Sequence, residues 1–127
     1  MTADLDTLYQ RAGGTPFFEA LVGSFYAGVA SDPILRAIYP EADLAAAERR
    51  LRLFLVQYWG GPRTYDDERG HPRLRMRHVP FAIGPAERDR WLVHMRAAIA
   101  ASAAADDVAA ELERYFMMAA EAMRNRE

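Results

Sequence analysis

The chain has 127 residues, enough for one domain whose single core buries about two-thirds of its unfolded surface. Hydrophobic residues make up 51% and charged residues 27%, which excludes a disordered chain, and a net charge of −2 argues against dedicated nucleic-acid binding, which leaves a basic excess. There is no Cys, so disulfides, thiolate catalysis and cysteine metal sites are excluded together.

The opening residues MTADLDTLYQ carry acids and lack a basic stretch followed by an apolar run. No segment approaches the length of apolar sequence that spans a bilayer. The expectation is a soluble, cytoplasmic protein without a membrane span. All 16 basic residues are Arg, from which no function follows.

Ala, Leu, Glu and Arg dominate, and apolar residues recur at spacings of three and four, which predicts an all-α domain. Residues 4–11 form a short helix candidate, ended by Gly13-Gly14, where backbone angles closed to other residues turn the chain. Thr15 as N-cap and Pro16 at the first helical position open a helix with the stripe Phe18, Leu21, Val22, Phe25, Tyr26 and Val29, ending near Ser31-Asp32-Pro33. Ile34 to Tyr39 reads as one or two short turns halted by Pro40. Asp43 can cap a helix whose inward face is Ala47, Leu51, Phe54, Leu55 and Tyr58, with Glu48, Arg49, Arg52 and Gln57 largely outside. Gly60-Gly61-Pro62 stops it.

From there to Pro72 runs a polar, turn-rich stretch read as a loop, long enough to suggest a functional one. Arg73, Arg75 and Arg77 then alternate with Leu74, Met76 and His78, a period of two that on its own is a strand signature. With only six residues, no partner strand and a helix-opening Pro72, the reading is a short helix over 72–79. Pro85 opens a further helix with Trp91, His94, Met95, Ala98 and Ile99 at helical spacing. After a weak stretch from Ala100 to Ala105, Asp106 or Asp107 can cap a last helix with the stripe Val108, Leu112, Tyr115, Phe116, Ala119 and Met123.

Several chemistries fall away on spacing. His71 and His78 are seven residues apart, about two turns or ~10 Å on one helix, too far to share an ion held at about 2 Å per ligand. No HExxH or ExxH pair is present, and no Ser or Thr stands in a nucleophile elbow. The arginine run lacks a Gly-rich phosphate loop and reads as a solvated face. That leaves His78 facing a pocket, with Tyr26, Tyr39 and Trp91 on other elements as candidates to face the same one. By pattern alone a lone His near Leu is more often a satisfied core or surface residue than a ligand, and aromatic residues on helical stripes are more often core. Spacing does not decide between them.

Spaced motifs run along the chain in order: Gly13-Gly14, Phe25-Tyr26, Ile38-Tyr39-Pro40, Gln57-Tyr58-Trp59-Gly60-Gly61-Pro62, His71 to Pro80, and Glu87-Arg88-Asp89-Arg90-Trp91. In these the sequence resembles the group II truncated haemoglobins, with similarity from about residue 7 to residue 123. The resemblance implies a two-over-two helical sandwich around haem b, with a cut-down first helix and a short proximal helix after a long loop. It makes His78 the proximal iron ligand, a neutral imidazole whose other nitrogen donates to a carbonyl or carboxylate. Leu74 and Met76 become its apolar neighbours. His71 is left as a surface or loop-capping residue, with a propionate contact as the alternative, and His94 as structural.

On the distal side the resemblance implies that Tyr26, Tyr39 and Trp91 face the ligand. Dioxygen on ferrous iron takes partial superoxide character, so each donor aimed at it makes a charge-assisted bond worth roughly 1.5 to 3 kcal/mol and slows escape about tenfold to a hundredfold. A buried indole N–H also needs an acceptor, which in an apolar pocket is the ligand or a water in its place. Ala47 stands where a classical globin has its distal histidine, leaving an open side approach, and Leu51, Phe54 and Leu55 wall the cavity. Arg77 and Arg50 are the candidates to meet the haem propionates.

The function implied is high-affinity binding of dioxygen and other small diatomics, suited to sensing, scavenging or redox chemistry rather than bulk delivery. An external reductase and a homodimer fit the resemblance; nucleic acid does not. The alternative is a haem-dependent peroxidase or an enzyme detoxifying nitric oxide or reactive oxygen, and a third reading is a haem-free helical interaction module. The slightly long N-terminus and the Ala-rich stretch 100–110 depart from the family pattern, and neither touches the expected pocket.

Overall fold

The computed structural model describes residues 7–40 and 44–127, all helix and connection with no strand among the described residues. Among the described residues eight helices follow in order. These are α1 Leu8–Ala12, α2 Thr15–Ala30, α3 Pro33–Arg36, α4 Ala45–Tyr58, α5 Thr64–Arg69, α6 Leu74–His78, α7 Pro85–Ala101 and α8 Asp106–Met123. The four long ones make the sandwich: α2 packs on α4 and on α7, and α7 packs on α8. No helix among the described residues is long and apolar enough to cross a membrane.

The expected α2 stripe is the core. Phe18, Leu21, Val22, Phe25 and Val29 are completely buried, and Leu55, Met95, Leu112 and Phe116 meet them from the other long helices. Each such side chain contributes about 1.5–3 kcal/mol by leaving water, so the stripe alone outweighs any local helix propensity. Gly13 and Gly14, with φ of 113° and 79°, make the turn between α1 and α2 in the region that favours glycine.

Several local readings change. The first helix covers 8–12 rather than 4–11; Thr7 caps it by accepting the Gln10 N–H at 3.1 Å, and residues 4–6 lie outside the described residues. Thr15 does not cap α2. It is already helical, and its hydroxyl bonds Tyr9 at 2.7 Å instead. The proposed cap Asp43 also lies outside the described residues. Tyr58 is 49% exposed, and Val56 takes a buried place near the end of α4. Neither Asp106 nor Asp107 caps α8; both sit in its first turn, where a negative charge complements the helix dipole, and Asp107 pairs with Arg11.

The expected loop 62–72 contains α5. Its anchor is Gln57, which accepts the Asp66 backbone N–H and donates to the Asp66 carboxylate, each at 2.9 Å, while Arg49 pairs with Glu68. Helix α6 spans 74–78 rather than 72–79. Arg73 takes a left-handed conformation with φ 45° and ψ 51°, and its N–H donates to His71 Nδ1 at 3.1 Å, so the chain turns after Pro72 instead of coiling from it. His71 is thereby a loop-capping residue.

No residue of α6 is buried. Polar fastenings hold it in place of a core face. Arg77 donates to the carbonyls of Pro72 and Arg69, and Asn125, just beyond α8, donates through Nδ2 to the carbonyls of His78 (3.2 Å) and Phe81 (2.8 Å). Asn125 also accepts the Ile83 N–H at 2.9 Å and returns its own N–H to the Ile83 carbonyl at 2.8 Å. The segment from α6 to α7 is thus tied to the chain's last residues.

Candidate haem pocket

A cavity of about 480 Å³ opens between α2, α4, α6, α7 and α8, within the size range of sites that enclose a small organic ligand. Every site residue singled out from the sequence lines it. Leu74, Arg77 and His78 come from α6, and Ala47, Arg50, Leu51, Phe54 and Leu55 from α4. Tyr26 of α2, Tyr39 after α3, and Trp91 of α7 complete the set. Met76 is the exception among the expected neighbours: it is 57% exposed and points away, because residues two apart on a helix face different sides.

His78 is half-buried, and its Nδ1 lies 2.6 Å from the Leu74 carbonyl one turn back. A neutral imidazole donating there carries its proton on Nδ1, so Nε2 holds the lone pair that can bind a metal. Among the described residues no three His, Asp or Glu side chains converge into a metal cage. The donor set is therefore one imidazole, which suits an iron already held by a macrocycle.

The aromatic residues interlock. Tyr26 and Tyr39 meet edge to face with ring centroids 5.7 Å apart, and Trp91 lies 4.9 Å from Phe25 and 5.5 Å from Phe116. The Trp91 indole N–H has no acceptor among the described residues, although its ring lines the cavity. A partly buried donor on a residue that lines a cavity, and without a partner, is the kind of group that a bound ligand can satisfy.

Arg77 spends Nε and one terminal nitrogen on backbone carbonyls, at 2.7 and 3.2 Å, which holds its guanidinium against the α5–α6 connection. Arg50 lines the cavity from α4. Arg69 was not expected; it lines the cavity from α5, with its guanidinium 6.0 Å from the centre of the Tyr65 ring. Cations at a cavity of apolar and aromatic walls fit a flat apolar ligand with anionic arms.

Other lining residues went unassigned to the site. Tyr115, Phe116, Ala119 and Met123 form the core stripe expected of α8, and the cavity shows that the same face is also a pocket wall. Tyr65 was hidden by the reading of its segment as a loop. Ile38, Phe81 and Ile83 lie on short connections that give no periodic signal. Burial, with the neighbouring Tyr58 ring 4.4 Å away as a second cause, pushes the Tyr115 hydroxyl up to about 12, so it stays protonated at neutral pH. His94 has no part in the cavity lining. Its Nε2 lies 2.7 Å from the carboxylate of Asp32, the structural role expected of it.

Comparison with known proteins agrees with this geometry. The bacterial-like globin family profile matches residues 7–125. A group 2 truncated haemoglobin of Bacillus subtilis is 45% identical over 89 residues, 70% of this chain and 67% of that protein. Among solved structures, a thermostable haemoglobin from Thermobifida fusca superposes with a TM-score of 0.92 at 58% identity, covering 94% of this chain and 97% of that one. A truncated oxygen-avid haemoglobin from Bacillus subtilis superposes with a TM-score of 0.88 at 38% identity, covering 94% of this chain and all of the other. With a match over nearly its whole length and a cavity suited to the cofactor, the chain belongs to the bacterial-like globins, in their group II truncated haemoglobin branch, and its cofactor is haem b.

Proposed function

We propose that this globin binds dioxygen, and other small diatomics, reversibly and with high affinity, with His78 as proximal ligand and Tyr26, Tyr39 and Trp91 as the distal donors. When bound, haem would supply a ferrous iron able to take a diatomic ligand. His78 would hold that iron through Nε2, with its ring oriented by the contact of Nδ1 with the Leu74 carbonyl. Trp91 carries the reading: the residue lines the cavity, and its indole N–H, which has no acceptor among the described residues, would donate to a ligand. Tyr26 and Tyr39 lie beside one another on the same cavity, where their hydroxyls add donors. Ala47, small and apolar, leaves the approach from α4 open. Arg50 and Arg77 hold the propionates, helped by Arg69. The relative described as oxygen-avid supports the high affinity.

The acceptor behind His78 bears on the enzymatic alternative. A carboxylate there would make the imidazole more electron-rich and favour oxygen–oxygen cleavage, whereas Leu74 offers a neutral carbonyl. That favours reversible binding over peroxide turnover. The reading takes residues 1–127 as one globin domain in the cytoplasm, kept ferrous by an external reductase.

Stopped-flow measurement of oxygen dissociation tests it. Trp91→Phe keeps an aromatic ring and removes the N–H, and should release oxygen about tenfold to a hundredfold faster. An unchanged rate in that variant, or a wild-type oxygen half-life well under a second, would refute the distal assignment.

A further inference from the structure

Asp32 is the only charged side chain buried among the described residues, at 5% exposure. It stands at the corner between α2 and α3, and both of its carboxylate oxygens are committed. Oδ1 accepts the N–H groups of Ile34 (3.0 Å) and Leu35 (3.4 Å), capping α3. Oδ2 accepts from Arg90 Nε at 2.8 Å and lies 2.7 Å from His94 Nε2, both on α7. These bonds, His94 first and Arg90 second, hold the carboxyl down to about 2, so it is charged at any working pH.

The three segments that meet at this carboxylate are the three that carry the distal donors. Tyr26 is on α2, less than two turns before Asp32. Tyr39 follows α3, and its carbonyl is held by Arg36 of that helix at 3.1 Å. Trp91 lies on α7 next to Arg90. Arg90 and His94, four residues apart, share one face of α7, so fixing both at a single point fixes the rotation of the helix about its axis and the direction in which Trp91 projects. The contact is close on the other side as well. A Cβ at Gly28 of α2 would stand 2.4 Å from His94 Nδ1, so the imidazole fits only against a residue without a side chain.

A buried ion pair is a poor source of net stability, because desolvation offsets most of the attraction. Its better-supported use is to fix one arrangement out of several. We propose that Asp32, acting with Arg90 and His94, is the positioning residue of the distal site: it sets where Trp91 and Tyr39 stand relative to a ligand and thereby sets the rate of ligand escape. The inference rests on the distal reading above.

The test uses the haem-loaded protein with carbon monoxide and dioxygen as probes, comparing Asp32→Asn, Arg90→Ala and Trp91→Phe with wild type. Asn keeps the α3 cap but presents an amide where Arg90 and His94 need an acceptor. Asp32→Asn should speed oxygen dissociation by about fivefold or more, and Arg90→Ala by less in the same direction. Both should shift or split the carbon monoxide stretching band and move the Trp91 indole N–H resonance in the diamagnetic carbon monoxide complex, while the Trp59 resonance stays. If Asp32→Asn fails to fold, Arg90→Ala and His94→Gln carry the test. Folded variants that melt lower yet keep wild-type stretching bands and oxygen rates would overturn the proposal. Should Trp91→Phe itself leave the oxygen rate unchanged, the distal reading fails; the indole resonance then decides alone, movement in Asp32→Asn supporting the positioning role and no movement overturning it.

Discussion

The Nδ1 of His78 lies 2.6 Å from the carbonyl oxygen of Leu74, a bond made one turn back on a helix of five residues. Where Nδ1 donates in that contact, Nε2 keeps the lone pair, on a helix that has no buried residue and sends only Leu74 toward the core. The chemistry proposed for the site and the hold on this short helix share the same contact.

His78→Gly should fold, since no residue of α6 is buried, but lose its axial ligand. Loss of an outer-sphere partner alone weakens metal sites by about tenfold to a hundredfold, so removal of the ligand itself should speed haem loss by more than about a hundredfold. Added imidazole should restore the wild-type ferrous spectrum. An unaltered spectrum without imidazole would show that residue 78 is not the ligand.

Asn125→Asp keeps the acceptor for the Ile83 N–H and loses both donor bonds to the His78 and Phe81 carbonyls. The expected effect is about 1–2 kcal/mol of stability, measured by denaturant unfolding, together with a shifted iron–histidine stretching frequency in the ferrous protein. Asn125→Ala should shift it further.

Gly28→Ala sets two effects against each other. Within a helix the substitution gains about 1 kcal/mol of propensity, but the new methyl meets an imidazole that Asp32 prevents from retreating. Overpacking of this kind costs about 1–3 kcal/mol, so a net loss is expected, and the lower melting temperature should disappear when His94 is also shortened to Ala.

Acid stability follows from Asp32. Its carboxyl titrates near 2 in the folded protein against an ordinary value of 3.8, so it binds its proton more readily when unfolded. The stability it contributes is complete above about pH 4 and lost as the pH falls through 2. Melting curves taken between pH 5 and 2.5 should therefore fall more steeply for wild type than for Asp32→Asn, which has no carboxyl to protonate at this point.

Long periodic segments were legible in the sequence for a plain reason: α2 and α8 bury one continuous stripe, and Pro16 and Pro85 mark where α2 and α7 begin. What escaped depends on contacts distant in sequence. The hexapeptide TYDDER buries only Tyr65 and is helical because Gln57 and Arg49 reach it from α4. Thr15 and Asp106 have the chemistry of caps, yet each stands one residue inside its helix, Thr15 with Tyr9 competing for its hydroxyl. Of the pocket, the residues carried by motifs all line the cavity, whereas Arg69, Phe81 and Tyr115 sit in patterns that look the same whether they face a core or a ligand. Asp32 read as an ordinary turn residue, since its two partners lie about sixty positions away.

A helix with no fully buried residue opens at less cost than one with a core face, and α6 is such a helix, with only Leu74 resting on the core. Breaking the bonds that Arg77 and Asn125 make would swing the imidazole aside while Phe18, Phe25 and Phe116 keep their places. If His78 is the proximal ligand as proposed, haem exchange would then depend on the strength of a few polar latches around one short segment rather than on the free energy of unfolding the whole chain.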